Sequence, residues 1–80
     1  MEHTINGVAF RVVGLRSLIK GARHANACEL TAPAPWAQVR AIAGLEVPGL
    51  GPILDVGAPR IGDGTLPAGT PFNLITAVAP

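Results

Sequence analysis

The chain has 80 residues, enough for one domain with a thin core, because a chain of this size buries only about 60% of its unfolded surface. Charged residues make up 14% of the chain, against roughly 25% in an ordinary soluble domain, and hydrophobic residues make up 49%. The single cysteine, Cys28, excludes a disulfide within the chain, and the net charge of +1 does not by itself indicate a nucleic-acid or membrane partner.

The low charge predicts that the chain works in contact with other proteins. A small domain exposes proportionally more surface than a large one, so the shortage of charge favours a surface partly covered by a neighbouring subunit. The polar start Met1-Glu2-His3 lacks the pattern of a signal peptide, and the longest uncharged run, residues 64–80, is broken by three prolines and two glycines. We therefore expect a cytoplasmic protein or a component of a viral particle, with no membrane partner.

Residues 4–13 are predicted to form the first strand, with apolar side chains at alternate positions. The dipeptide Asn6-Gly7 favours a two-residue hairpin turn, which would close a very short arm in front of this strand. Phe10 is expected to face the core and Arg11 the solvent. Gly14 then allows a bulge or a bend.

Residues 15–26 fit two different structures. A helix would place several apolar residues on one face, although Gly21 in its interior would cost about 1 kcal/mol. An extended arm would continue the first strand past a bulge and turn back at Lys20-Gly21. We expect the extended arm, followed by a short strand over residues 27–32 with Cys28 facing inward.

The strongest helix pattern lies within residues 33–44, and the helix is predicted near residues 35–43. Pro35 suits the first helical position, and Gly44 suits a glycine cap at the end. A helix of about ten residues is not stable alone in water, so it must pack on the sheet. Its apolar stripe consists of Trp36, Val39, Ile42 and Ala43.

Glycine and proline make up 12 of the 28 residues from 44 to 71. Short apolar pieces lie between them, at residues 45–47, residues 53–56 and Arg60-Ile61. We therefore expect short strands joined by turns at Pro48-Gly49, Gly57-Ala58-Pro59 and Asp63-Gly64. Apolar pieces of this kind argue against a disordered linker.

A turn rich in proline and glycine precedes the last predicted strand, residues 72–78. One face of this strand would carry Phe72, Leu74, Thr76 and Val78, and the other would carry Asn73, Ile75 and Ala77. Both faces are largely apolar, so we expect cover on both sides, with another chain covering one of them. Together the elements predict a single β-rich α+β domain over residues 1–80, a small partial barrel or sheet of about five short strands with one short helix.

No residue pattern in the sequence is typical of an enzyme, a cofactor site or a metal site. His24 and Cys28 are four residues apart, but CxxC and HExxH spacings are absent, and a lone buried thiol is an ordinary core residue. Neither a phosphate-binding glycine loop nor a nucleophile elbow is present. We expect a non-enzymatic protein with no cofactor and no bound metal.

Four of the six Lys and Arg residues lie within the first 24 positions: Arg11, Arg16, Lys20 and Arg23. On one face they would form a patch that positions phosphates, which makes a small nucleic-acid-binding module the alternative function. A solvated face, or salt bridges to a partner chain, is the more ordinary use of such residues.

The segment GTLPAGTP at residues 64–71, followed by an apolar strand, resembles the closing segment of LysM-type phage tail proteins. The rest of the chain lacks the LysM order of strand, helix, helix and strand. The resemblance implies a component of a virion or a secretion machine, which the low charge also favours. From the low charge we expect a structural subunit in a homo- or hetero-oligomeric assembly. Its interface is expected to include Trp36, Phe72, Leu74, Ile75 and Val78.

Overall fold

The computed structural model describes residues 2–16, 23–57 and 64–77. Within them the chain forms eight strands and one helix. In chain order these are β1 (Glu2–Ile5), β2 (Val8–Arg16), β3 (Arg23–Leu30), β4 (Ala34–Pro35), α1 (Trp36–Arg40), β5 (Glu46–Val47), β6 (Gly51–Gly57), β7 (Thr65–Leu66) and β8 (Pro71–Ala77). Three of the strands, β4, β5 and β7, have only two residues each, which is why the count exceeds the expected five.

Six strands form one nearly closed antiparallel sheet in the order β1-β2-β3-β8-β6-β5, while β4 pairs with β7 in a separate two-stranded sheet. The predicted fold class, a small β-rich α+β partial barrel with one short helix, is confirmed. β1 and β5 are the two edges of the large sheet. Among the described residues the helix α1 has five residues, far short of the roughly 20 that a membrane-spanning helix requires.

The Asn6-Gly7 turn joins β1 to β2 as the sequence predicts. Asn6 and Gly7 have φ angles of 51° and 79°, the left-handed pair that this kind of hairpin turn requires. In β2, Phe10 is fully buried and Arg11 is exposed, which confirms the two predicted faces. The His3 ring stacks on Phe10 with centroids 5.5 Å apart, so the edge strand is held onto the core.

Two bulges interrupt the long strands. In β2 the extra residue is Val13, directly before Gly14, where a bulge or bend was expected. In β6 the extra residue is Leu54. The groups β1-β2-β3 and β5-β6-β8 therefore share one arrangement, a hairpin whose second strand carries a bulge where it pairs with the third strand.

The stretch that fitted either a helix or an extended arm is extended where it is described. Residues 15 and 16 end β2 and residues 23–26 begin β3, so the helix alternative is wrong there. The predicted turn at Lys20-Gly21 lies outside the described residues. β3 then continues to Leu30 with Cys28 buried, as expected.

The helix is shorter than the prediction of residues 35–43. α1 covers Trp36–Arg40, and residues 41–44 form turns. The N–H of Gly44, which has a φ of 89°, donates to the Ile53 carbonyl at 2.9 Å and so joins the chain to β6. Ala43 is consequently exposed instead of extending the apolar stripe, and this part of the prediction is wrong.

Pro35 also differs from its predicted role. It is extended, with φ of −62° and ψ of 143°, and pairs with Thr65 between β4 and β7, so it precedes the helix instead of starting it. Val39 and Ile42 are buried as expected. α1 is therefore held in place by its buried face, since one turn of helix has little stability of its own.

The turn-rich region contains the predicted short strands. β5 and β6 form a hairpin around Pro48-Gly49, closed by the Leu50 N–H donating to the Val47 carbonyl at 2.9 Å. The predicted strand at Arg60-Ile61 lies outside the described residues. β7 was not expected, whereas β8 confirms the last predicted strand up to residue 77.

One hydrophobic core lies on the inner face of the large sheet and includes residues from α1, β4 and β7. Phe10 and Phe72 meet edge to face within it, with ring centroids 5.8 Å apart and an interplanar angle of 72°. The largest fully buried side chains are Phe10, Leu30, Ile42, Ile53, Leu66 and Leu74.

Candidate interaction surface

β8 has one face in the core and one face outside it. On the inner face Phe72 is 3% exposed and Leu74 is fully buried. The chain's own atoms enclose both side chains, so they offer no surface to a partner, which corrects the expectation that they belong to an interface. The opposite face, with Ile75 at its middle, is only half-buried.

An uncharged strip runs along the outer face of β3 and β8. Ala25 lies opposite Ile75 and Ala27 opposite Asn73, and the alternation of β8 adds Ala77. Outward positions of an antiparallel sheet with one wet face are normally polar, whereas these are mostly apolar and small. Ala25 is only 5% exposed although it is not part of the core cluster, so it marks the middle of this face but adds little open surface to it. We call Ala25, Ala27, Asn73, Ile75 and Ala77 the outer strip.

Two large hydrophobic side chains are exposed beside the outer strip. Val13 is 52% exposed and Leu54 is 48% exposed, and each is the extra residue of a bulge. The register places Val13 next to Ala27 and Leu54 next to Ile75. Exposed apolar side chains grouped around an uncharged strip are typical of a protein contact surface.

Charged side chains border the outer strip. Arg11 donates a hydrogen bond to the Glu29 carboxylate at 2.8 Å, and this ion pair lies at one end of the strip. Arg23 on β3 and Asp55 on β6 are exposed on the two sides of β8. The described charges around the strip are therefore of both signs.

Of the four basic residues of the alternative function, Arg11 is paired within the chain, while the register puts Arg16 and Arg23 at neighbouring positions of β2 and β3. Arg11 is already paired with Glu29, and Arg23 lies on the neighbouring strand. Arg16 holds the register position opposite Ala25, and Lys20 lies outside the described residues. The ion pair disfavours a phosphate-binding patch, because it neutralises one of the cations that such a patch would use.

Of the two remaining predicted interface residues, the described structure places only Trp36, and Trp36 does not join Ile75. Trp36 is partly exposed and packs against the core from the start of α1, on the inner side of the sheet. Its backbone N–H donates to the Gly64 carbonyl at 3.1 Å. Val78 lies outside the described residues. Of the five predicted interface residues, only Ile75 is placed by the described structure on the outer strip.

Several polar groups are buried between the strands. The Asn26 side-chain amide donates to the Thr76 hydroxyl at 3.1 Å, and the Cys28 thiol donates to the Asn26 carbonyl at 3.4 Å. Burial raises the pKa of the Cys28 thiol to about 11, although a backbone hydrogen bond with Leu74 acts to lower this pKa. The thiol is therefore protonated and unreactive at neutral pH.

His24 Nδ1 is buried and has no hydrogen-bond partner in the part of the chain that is described. Over those same ranges, no three potential metal ligands come together.

Adjacent apolar pairs mark the outer surface in the sequence. Val12-Val13 and Ile53-Leu54 each place two apolar residues side by side in an alternating strand, where only one of them can face the core. In both pairs the second residue is the exposed one. Val13 and Leu54 could therefore have been proposed as surface residues from this break in the alternation.

No protein-family model matches the chain, and no curated protein or solved structure is significantly similar to it.

Proposed function

We propose that the chain is a non-enzymatic structural subunit that packs against other protein subunits through the outer face of its sheet. The observation that carries the proposal is the outer strip with Val13 and Leu54 exposed beside it. Burying the exposed half of one such side chain is worth about 1 kcal/mol, so a partner that covers this face gains several such contributions.

The composition supports a place in a larger assembly. The chain carries 14% charged residues, fewer than a small isolated domain would need to keep its surface hydrated. The resemblance of residues 64–71 to a segment of phage tail proteins favours a viral particle, such as a capsid or tail, as the assembly. In this role the residues supply shape and apolar area, and strand pairing would use β1 or β5, the edge strands of the large sheet within the described residues.

Nucleic-acid binding is the less favoured function. Its basic set includes Arg11, which donates to the Glu29 carboxylate within the chain. The outer strip is uncharged, and the only described aromatic residue near the basic set, Phe10, is buried in the core and cannot stack on a base.

Sedimentation velocity combined with chemical cross-linking tests the structural proposal. The wild-type chain and a Val13→Lys/Leu54→Lys double variant are compared, both purified and in an extract of the native source. We expect the wild type to enter larger species and the double variant to be largely excluded from them. Leu45→Lys is the matched control, because Leu45 is 39% exposed but precedes β5, off the outer strip.

A wild-type chain that stays monomeric when pure, and that cross-links to no other protein in the extract, would overturn the proposal. A double variant that assembles as well as the wild type would overturn it too, because the outer face would then not be the contact surface.

A further inference from the structure

We propose that the outer strip binds a second copy of this chain, in a two-fold symmetric dimer centred on β8. This inference rests on the proposed function and specifies its partner. It follows from the placement of two exposed charges, from the apolar residues between them, and from the size of the face.

Charge placement favours a second copy over an unrelated partner. β8 lies between β3 and β6, and the register puts Arg23 opposite Ala77 and Asp55 opposite Ile75. The midpoint between Arg23 and Asp55 therefore falls on β8, between Ile75 and Ala77. A two-fold axis can pass above that point, parallel to the sheet and perpendicular to the line that joins the two charges. Rotation about this axis places Arg23 of each copy against Asp55 of the other copy. A symmetric dimer needs this self-complementarity, because one surface patch forms both halves of the interface.

The same axis brings apolar surface together. Ile75 and Ala77 lie closest to the axis, so both are covered by the second copy. Leu54 is exposed and lies next to Asp55 on β6. In the dimer, Leu54 of one copy therefore packs on the other copy next to that copy's Arg23. The dimer thus buries Leu54, a large exposed hydrophobic side chain, and pairs Arg23 and Asp55, the exposed charges on the two strands next to β8.

The area of the face sets the expected strength. Four strands spaced about 4.8 Å apart and seven residues long give a face of roughly 19 by 23 Å. Two such faces bury less than the roughly 1,200 Å² at which stable interfaces begin, so we expect a reversible dimer whose population rises with protein concentration.

Charge reversal tests the proposed pairing in the purified chain. Arg23→Glu sets two carboxylates against each other at both ends of the dimer, and Asp55→Arg sets two cations against each other. We expect each variant to weaken dimerisation about tenfold or more in sedimentation equilibrium at low salt. A 1:1 mixture of the two variants should recover the dimer, because each cation then faces a carboxylate of the other chain.

Arg40→Glu is the control, since Arg40 is an exposed cation on α1, away from the large sheet, and its reversal should leave the dimer unchanged. Circular dichroism checks that each variant is folded; if a reversal unfolds the chain, Arg23→Gln and Asp55→Asn carry the same test with a smaller expected loss. The second-copy proposal is overturned if the wild-type chain is monomeric at every concentration tested. It is also overturned if neither charge reversal weakens the dimer, or if the 1:1 mixture of the two variants does not restore the dimer. The structural function fails separately, by the absence of cross-links to any protein in the native source.

Discussion

Asn26 and Thr76 are joined by a buried side-chain hydrogen bond of 3.1 Å, although they lie 50 residues apart in the sequence. Thr76 lies directly opposite His24 and Asn26 directly opposite Leu74, so the bond runs diagonally between β3 and β8. Asn26 is 4% exposed and Thr76 is 2% exposed. The bond therefore ties the two central strands together where water cannot replace either partner.

Thr76→Val removes the acceptor and leaves the Asn26 amide buried without a partner. We expect a loss of about 1–3 kcal/mol in the free energy of unfolding, measured by urea denaturation. The Asn26→Ala/Thr76→Val double variant should lose about 1 kcal/mol less than the sum of the single variants, because no buried amide then needs an acceptor. Thr4→Val, at an exposed position of β1, is the control and should change stability by less than about 0.5 kcal/mol. Strictly additive single losses would show that this bond contributes nothing.

Burial of Cys28 predicts a loss of stability at high pH. Its pKa is raised from 9.0 to about 11 in the folded chain, mainly by burial. Between these values the unfolded thiol releases its proton while the folded thiol keeps it, so the unfolded state is favoured as pH rises through this window. Below pH 9 the folded state keeps this contribution in full.

Urea denaturation at pH 7.5 and pH 10.5 measures the effect. We expect the wild type to lose about 2 kcal/mol more than Cys28→Ala over this interval, because every other titrating group is shared by the two chains. The thiol should also resist alkylation at pH 8 in the folded chain. Equal losses in the two chains, or rapid alkylation, would mean that the thiol ionises as it does in water.

The hairpin turn at Gly7 predicts a penalty for any side chain there. Gly7 has a φ of 79°, and an added Cβ would lie 2.7 Å from Gln38 Nε2, which itself donates to the Asn6 carbonyl at 3.4 Å. The flexible Gln38 side chain can move aside, so the main cost is the left-handed backbone, about 1–2 kcal/mol. Gly44→Ala should cost nearly as much, since Gly44 has a φ of 89° with no atom nearby.

Gly57→Ala provides the reference for this series. Gly57 lacks a positive φ, and an added Cβ would meet nothing within 4 Å. Thermal unfolding should show a change within about 0.5 kcal/mol for this variant. If Gly7→Ala lowered the free energy of unfolding no more than Gly57→Ala does, Gly7 would not have the left-handed conformation assigned to it.

Local chemistry made most strands predictable. The Asn6-Gly7 and Pro48-Gly49 turns depend on the conformational preferences of two neighbouring residues, and both form where the sequence places them. The errors come from contacts distant in sequence. The helix stops early because Gly44 bonds to the Ile53 carbonyl, and Pro35 is extended because it pairs with Thr65, 30 positions later. Neither partner could be identified from a local pattern.

The proposed contact surface was only half predictable from the sequence for a related reason. Alternation separates β8 correctly into two sets of residues, one containing Phe72 and the other Ile75. Both sets are largely apolar, so only the complete sheet shows which of them meets the core. The outer residues of β3, Ala25 and Ala27, have side chains too small to attract notice in a sequence, and only their pairing with β8 makes them part of one strip.

Phe72 and Ile75 should separate folding from assembly. Phe72→Ala removes a core ring that packs edge to face on Phe10, and we expect it to cost about 3–5 kcal/mol of a total stability near 5–15 kcal/mol. Ile75→Ala removes a half-buried side chain on the outer strip and should cost only about 1 kcal/mol, while weakening association clearly in sedimentation velocity. Ile75→Val, which keeps the β-branched shape, is the matched control and should retain most of the association. If the Phe72→Ala variant kept its stability but lost association, Phe72 would belong to the interface, and its assignment to the core would be wrong.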